Sequence, residues 1–258
     1  MTLFLRHKVE EAIEFLRHNE PPEGYTVKFS GGKDSIVVYD LVKRSGVGYG
    51  VFYNCTTLDA PELTRFIRKQ YPEVKWLFPR KHFYQYLMTK GLPTKEKRWC
   101  CEKLKHGIHP QDASSHIVVG IRAEESKSRA KRGMISEFGK QMTYSPIFNF
   151  DEEDVWDYIE ESDLPYPELY DEGFTRLGCV VCPYICRSGG ILQKHKLRWP
   201  AHYRKFEAVA AEYYEKKKGF FRSRGILTAG HLLELWYASK PIPVTEERNR
   251  QLRMFALR

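Results

Sequence analysis

The chain lacks any apolar run approaching the ~20 residues that a helix needs to cross a bilayer, which argues against a helical membrane protein. Its first residues, MTLFLRHKVEEAIEFLRHNE, are charged throughout and lack the apolar core of an export signal. A soluble, cytoplasmic protein opening on an amphipathic helix is therefore expected. No internal repeat, low-complexity tract or flexible linker is present, so solenoid and fibrous classes are excluded. Disorder is excluded too, because 42% of the 258 residues are apolar and only 29% charged. Negative charge is in short supply: 42 Lys+Arg against 33 Asp+Glu leave a net charge of +9. Such an excess suits an anionic partner, although a merely solvated basic surface has the same composition.

Cysteine is scarce but clustered. The six residues are Cys55, Cys100, Cys101, Cys179, Cys182 and Cys186, and none follows Cys186. In a reducing compartment such a set favours metal binding or catalysis over disulfides. The vicinal pair Cys100-Cys101 and the pair Cys179-x-x-Cys182 supply four soft thiolates, enough for an iron–sulfur cluster or for zinc, and spacing alone does not separate the two. Lys97, Arg98, Lys103 and Lys105 flank the first pair and would lower thiol pKa values and offset cluster charge.

Apolar periodicity alternates between strand and helix. YTVKF reads as a buried strand, the stretch after it as a helix ended by glycine, and GVGYGVFYNCTT as a second strand. A helix from Ala60 to Gln70 and a strand near VKWLFP follow. Further on, SSHIVVGIRAEES supplies another strand, TYSPIFNF a strand or extended connector, and DEEDVWDYIEESDLP a helix with an acidic first turn. The βαβαβ order predicts an α/β fold, a twisted, mainly parallel sheet with helices on both faces. From Tyr166 the sequence becomes turn-rich, then basic, aromatic and helical. Residues 1–165 are accordingly expected to form a nucleotide-binding domain, and 166–258 a cysteine-anchored basic segment.

The segment Ser30-Gly31-Gly32-Lys33-Asp34-Ser35 stands where the first strand gives way to a helix. Unpaired amides and the positive end of the helix dipole make that point an anion site. Gly31 and Gly32 permit close backbone approach, Ser30 and Ser35 offer hydroxyls, Lys33 adds charge, and Asp34 can hold Mg²⁺. The Walker A pattern GxxxxGK[ST] is absent, so this is a different phosphate loop. Taken by itself, Asp59 reads as a helix cap before the helix that follows. Arg122, Glu125, Ser126 and Arg129 form a charged loop after a buried strand, where guanidinium forks suit phosphate oxygens; Lys131 and Arg132 read as solvated.

SGGKDS resembles the PP-loop of the adenine-nucleotide alpha-hydrolase superfamily. IVVGIRAEESKSRA and SPIFNFDEEDVWDYIEESDLPYPELYDEGFTRLGCVVCP resemble, more narrowly, its PAPS reductase branch, over about residues 24–186. The resemblance implies an adenine nucleotide above the strand ends and adenosine near Asp59. It also implies a phosphosulfate or polyphosphate under Arg122 and Arg129, and a 4Fe-4S cluster on Cys100, Cys101, Cys179 and Cys182, with zinc as the alternative. Lys33, Asp34, Arg122 and Arg129 then carry the chemistry. The complete loop, and the lack of a cysteine after Cys186 to attack sulfur, favour ATP with Mg²⁺. The expected activity is an ATP pyrophosphatase that adenylates DNA or tRNA for sulfur insertion, served by a cysteine desulfurase. The alternative is a PAPS or APS reductase served by a thiol reductant, and a third reading is a non-catalytic nucleotide-binding subunit. A homodimer is expected. Cys55 and Cys186 receive no assigned role. The basic, aromatic stretch from Lys194 to Lys205 suits either nucleic-acid contact or a helix with its aromatics turned inward.

Overall fold

The computed structural model describes residues 2–110, 113–187 and 189–243. In chain order its first elements are α1 (Leu3–His18), β1 (Tyr25–Phe29), α2 (Lys33–Ser45), β2 (Tyr49–Asn54), α3 (Pro61–Gln70) and β3 (Lys75–Leu77). Then come α4 (Phe83–Lys90), α5 (Trp99–Cys101), β4 (His116–Val118), α6 (Lys127–Ala130), β5 (Ile135–Phe138), β6 (Gln141–Tyr144) and α7 (Glu152–Glu161). The C-terminal helices are α8 (Gly189–Arg198), α9 (Pro200–Lys216), α10 (Lys218–Arg222) and α11 (Ala229–Tyr237). These elements form two compact units, one of residues 1–55, 61–78 and 108–178, the other of 56–60, 79–107 and 179–258. Both units are discontinuous in sequence, whereas the sequence reading used one break after residue 165.

The first unit contains the expected sheet. Its strand order is β3-β2-β1-β4-β6-β5, with every neighbouring pair parallel except β5 and β6. The order reverses at β1, so the crevice where such sheets bind ligands opens beyond the carboxyl ends of β1 and β4. Strand β1 is buried almost throughout, as a central parallel strand must be. Helix α1 starts at Thr2, whose hydroxyl accepts from Leu5 N at 3.1 Å, and buries Leu5, Val9, Ala12 and Leu16 along one stripe. At α7, Asp151 and Asp154 cap each other's amides, and Lys8 pairs with Asp154, tying α7 to α1. The antiparallel β5–β6 hairpin was not foreseen, since the strand expected near TYSPIFNF ends at Tyr144 and a turn follows.

The second unit is mainly helical, around an aromatic core. Trp99 stacks on Phe83 with ring centroids 5.4 Å apart, and its indole N–H donates to Gly91 O at 3.1 Å. Phe206 meets Trp236 at 4.6 Å, and the Trp236 indole donates to Pro93 O. Helix α9 buries Tyr203, Phe206, Ala210, Tyr213 and Tyr214 and keeps its cations outside. These aromatics are core, so they are not free to stack on nucleic-acid bases. For this stretch the burial favours the reading with aromatics turned inward over base stacking, and Arg204 and Lys205 stay on the outer face. Among the described residues, no helix is long and apolar enough to cross a membrane.

Candidate functional site

In the first unit, β1 runs through Ser30, Gly31 and Gly32 directly into α2, as the sequence predicts. Gly31 has φ +74°, and a Cβ there would lie 2.8 Å from the side chains of Leu63 and Ile67, so the turn demands glycine. Ser35 holds the loop closed: its hydroxyl donates to Gly32 O at 2.8 Å and accepts from Ser30 N at 3.1 Å. Ser30 Oγ in turn donates to Ser35 Oγ at 3.1 Å. Gly120, at the end of β4, lets that strand approach α2; a Cβ there would sit 2.9 Å from the Asp34 carbonyl carbon. The loop, the start of α2 and the segment after β4 are thereby brought together.

Charge is concentrated at this point and each member is engaged. Lys33 is only 5% exposed. Its ammonium lies 3.3 Å from Glu152 at the start of α7, 3.8 Å from Asp34 and 3.5 Å from Thr175 O. Arg122, 4% exposed, donates through Nε to Asp34 Oδ1 at 2.7 Å and through a terminal nitrogen to Glu124 at 2.5 Å. Burial works against the Arg122 charge, but Asp34 and Glu124 outweigh it and raise its pKa. Arg129 pairs with Glu125, whose carboxylate also accepts from Arg122 N at 3.0 Å. Burial and the neighbouring Arg176 and Arg132 lower the Arg129 pKa. Thus Lys33, Asp34, Arg122 and Arg129 meet around the loop, and Asp34, the expected Mg²⁺ ligand, has a carboxylate already bonded to Arg122.

Sequence reasoning missed three neighbours of this group. Glu152 was read only as part of an acidic first turn. Tyr170, in PELYDEG, places its hydroxyl 2.9 Å from Lys33 N, and burial raises its pKa above the ordinary phenol value. Arg176, three residues before Cys179, lies close enough to Arg129 and Tyr170 to shift both. The one available signal was that Tyr170 and Arg176 fall inside the motif-bearing stretch, without a pattern of their own.

The second unit gathers the other constellation. None of the six cysteines forms a disulfide. Cys100 and Cys101 close α5, while Cys179 and Cys182 sit on a loop pinned at Val180. Val180 N donates to Leu58 O at 2.8 Å, and Val180 O receives the Tyr203 hydroxyl at 3.0 Å with His195 Nδ1 at 3.1 Å. The Cys179 thiol donates to Thr56 Oγ1 at 3.4 Å, and Thr56 in turn donates its hydroxyl to Asp59 at 2.8 Å. Asp59 also accepts from Thr56 N at 2.7 Å and forms a backbone bridge with Cys179, so this carboxylate is part of the cysteine surroundings. Thr57 stands at φ +62°, its hydroxyl accepting from Phe83 N at 3.0 Å.

Electrostatics show that the four thiols share one neighbourhood. The Cys100 pKa is raised by its hydrogen bond to Cys101, by burial, and by the charges of Cys101, Cys179 and Cys182. Lys105 is raised chiefly by Cys179, against burial, with Cys101, Asp59 and Cys182 adding to it. Burial raises Cys179, partly offset by Lys105. Among the described residues no group of three or more His, Cys, Asp or Glu stands in the arrangement of a single-ion site. Four soft thiols with one buried ammonium nevertheless form the donor set that a cysteine-ligated, anionic cluster requires. Cys186 is buried, pushed up to about 12 by burial, with its thiol 3.8 Å from Cys182 O. Cys55 closes β2, its amide donating to Leu77 O at 2.9 Å.

Comparison with known proteins agrees with this architecture. Residues 24–185 match the model of the phosphoadenosine phosphosulfate reductase domain family. An uncharacterized protein of Methanocaldococcus jannaschii is 33% identical over 76% of the chain and 45% of its own length. A second from the same organism is 34% identical over 60% of the chain and 40% of its own length, so the chain spans less than half of either relative. The adenosine 5′-phosphosulfate reductase of Neisseria meningitidis is 28% identical over 64% of this chain and 74% of that enzyme. Among solved structures, the phosphoadenylyl-sulfate reductase of Candida auris superposes with a TM-score of 0.50 at 17% identity. It covers 69% of this chain and 96% of its own, which shows a shared fold.

Proposed function

The chain belongs to the phosphoadenosine phosphosulfate reductase domain family, and on that premise we propose that it is a sulfonucleotide reductase acting on adenosine 5′-phosphosulfate or its 3′-phosphorylated form. The observation that carries this reading is the joined set of Lys33, Asp34, Arg122 and Arg129 around an SGGKDS turn, in a chain similar to named adenosine 5′-phosphosulfate reductases. Sulfur insertion into DNA or tRNA, expected from the sequence, gains no support from these relatives, which are reductases or uncharacterized.

In the proposed reaction a thiolate attacks the sulfur of the phosphosulfate. The sulfur–oxygen bond breaks, and the nucleoside phosphate leaves with the electron pair. A second thiol then attacks the S-sulfonated sulfur, forming a disulfide and releasing sulfite. In this scheme the dithiol reductant supplies both thiols. The residues of the chain orient the nucleotide and neutralise its leaving phosphate: the amides at the start of α2 and the Lys33 ammonium face its anionic tail. Arg122 and Arg129 exchange part of their carboxylate pairing for phosphate oxygens. Cys100, Cys101, Cys179 and Cys182 would hold a 4Fe-4S cluster, whose negative charge Lys105 would offset. When bound, the cluster supplies a compact anchor for the two cysteine pairs.

A second reading, an ATP pyrophosphatase, is favoured by the complete SGGKDS loop. One experiment separates the two. Protein purified without oxygen is incubated with ATP, with adenosine 5′-phosphosulfate and with its 3′-phosphate, each with a dithiol. Sulfite from a sulfonucleotide is the expected result; pyrophosphate from ATP without sulfite overturns it.

A further inference from the structure

We propose that Tyr170 and Arg176 are substrate-binding residues that grip the anionic tail of the nucleotide, its phosphosulfate or pyrophosphate, beyond the α-phosphate. The inference rests on the nucleotide-loop reading above and adds a recognition element from the segment between α7 and Cys179.

The first amides of a helix have no partner within it. At α2 the Lys33 amide is taken by the Tyr170 hydroxyl at 2.9 Å. The phenol oxygen therefore stands where an oxygen of a bound anion is expected, at the positive end of a helix 13 residues long. Gly32 admits it, since a Cβ there would lie 3.2 Å from that oxygen. Accepting from Lys33 N uses one lone pair, and among the described residues the phenol's own proton has no acceptor. Burial keeps that proton on at neutral pH, so Tyr170 is available as a donor. The ring is held in place: Trp156 meets it edge-on at 5.0 Å, and the Lys33 ammonium lies 5.8 Å from its centre.

Arg176 supplies the charge. Lys33, Arg122 and Arg129 each pair with a carboxylate, whereas Arg176 forms no ion pair among the described residues. The Lys33 ammonium lies 3.5 Å from Thr175 O, which brings the adjoining Arg176 to the loop, where it and Arg132 disfavour the charge of Arg129. An excess of like charges, with Glu125 pairing Arg129 alone, is relieved by an anion bearing several oxygens, and guanidinium forks bind such groups in pairs of hydrogen bonds. The place of the Tyr170 hydroxyl at the α2 amide and the positive charge of Arg176 suit an anion. Both point to the tail.

The test measures equilibrium binding of adenosine 5′-phosphosulfate, ATP and AMP to the intact protein and to its Tyr170→Phe and Arg176→Gln variants. Tyr170→Phe keeps the ring against Trp156, and the Arg176 side chain is exposed, so both variants should fold; melting curves check this. Each variant is expected to weaken the tail-bearing nucleotides about tenfold and AMP less than about threefold, the loss of one charge-assisted hydrogen bond. Unchanged or tighter binding by Tyr170→Phe, or equal weakening of AMP, overturns the inference while leaving the loop intact as a nucleotide site. Wild-type protein that binds none of the three ligands overturns the loop reading itself, and this inference with it.

Discussion

The two constellations solve opposite electrostatic problems. Around the loop of the first unit, cations are plentiful and carboxylates are interleaved among them: Asp34 and Glu124 for Arg122, Glu125 for Arg129, and Glu152 for Lys33. The cost of burying Lys33 and Arg122 is offset by these internal partners, with which a ligand has to compete. In the second unit four thiols are gathered: burial and mutual repulsion resist the ionisation of Cys100 and Cys179, and Cys179, Cys101 and Cys182 act on one buried ammonium, Lys105. That arrangement is costly until the thiols give up their protons to a metal centre. On the proposed reading, the loop suits a guest that comes and goes and the cysteines one that stays.

The comparison breaks most decisively at the cysteines. Cys179→Ser should remove the iron from anaerobically purified protein, read by metal analysis and by visible absorption; iron retained at the wild-type level rejects the four-cysteine assignment. Lys33→Ala should raise the dissociation constant for the sulfonucleotide by about 30-fold or more, the loss of a buried charge-assisted contact. Iron per chain should stay at the wild-type value in that variant, and a parallel loss of iron would show that the two constellations are not independent. Gly31→Ala should lower unfolding free energy by about 2–3 kcal/mol, from its left-handed backbone and the contact with Leu63 and Ile67, measured by urea denaturation.

The smallest effect concerns Lys28 on β1. Burial lowers its pKa to about 8, and among the described residues its ammonium meets only neutral acceptors, Asn54 Oδ1 at 3.3 Å and Ile108 O at 3.4 Å. A folded pKa below the unfolded value penalises the protonated state, so wild-type stability should rise between pH 8 and about 10.4 as the folded form releases its proton first. Lys28→Met should therefore be more stable at pH 7, by about 1 kcal/mol after allowance for solvent screening. That advantage should shrink as the pH rises to about 10.4. A constant difference across the range would deny the burial cost.

The parts legible in the sequence were those fixed by local chemistry. Glycine, serine and lysine at the β1–α2 junction announce an anion turn whatever surrounds them. The α7 helix was readable because Asp151 through Asp154 both cap and charge its first turn. What escaped depended on distant partners. Tyr170 is 137 residues from Lys33, and no periodicity connects a phenol to an amide across that distance. The discontinuous second unit, which takes in Thr56–Ala60 with the C-terminal helices, was equally hidden, because its cohesion lies in Val180 and Asp59 rather than in composition. Aromatics on α9 left two readings open, since interior rings and stacking platforms have the same composition.

The hairpin that ends the sheet has its own consequence. Strand β5 is the outermost, and a border strand presents unmatched peptide groups to any passing extended chain. Here the border is four residues long, with Glu137 exposed near its middle and Ile135 39% exposed at its start. Brevity and one negative charge guard it against self-templating. Stretching the hairpin, or neutralising that glutamate, should make the protein precipitate at a lower concentration than the unaltered chain.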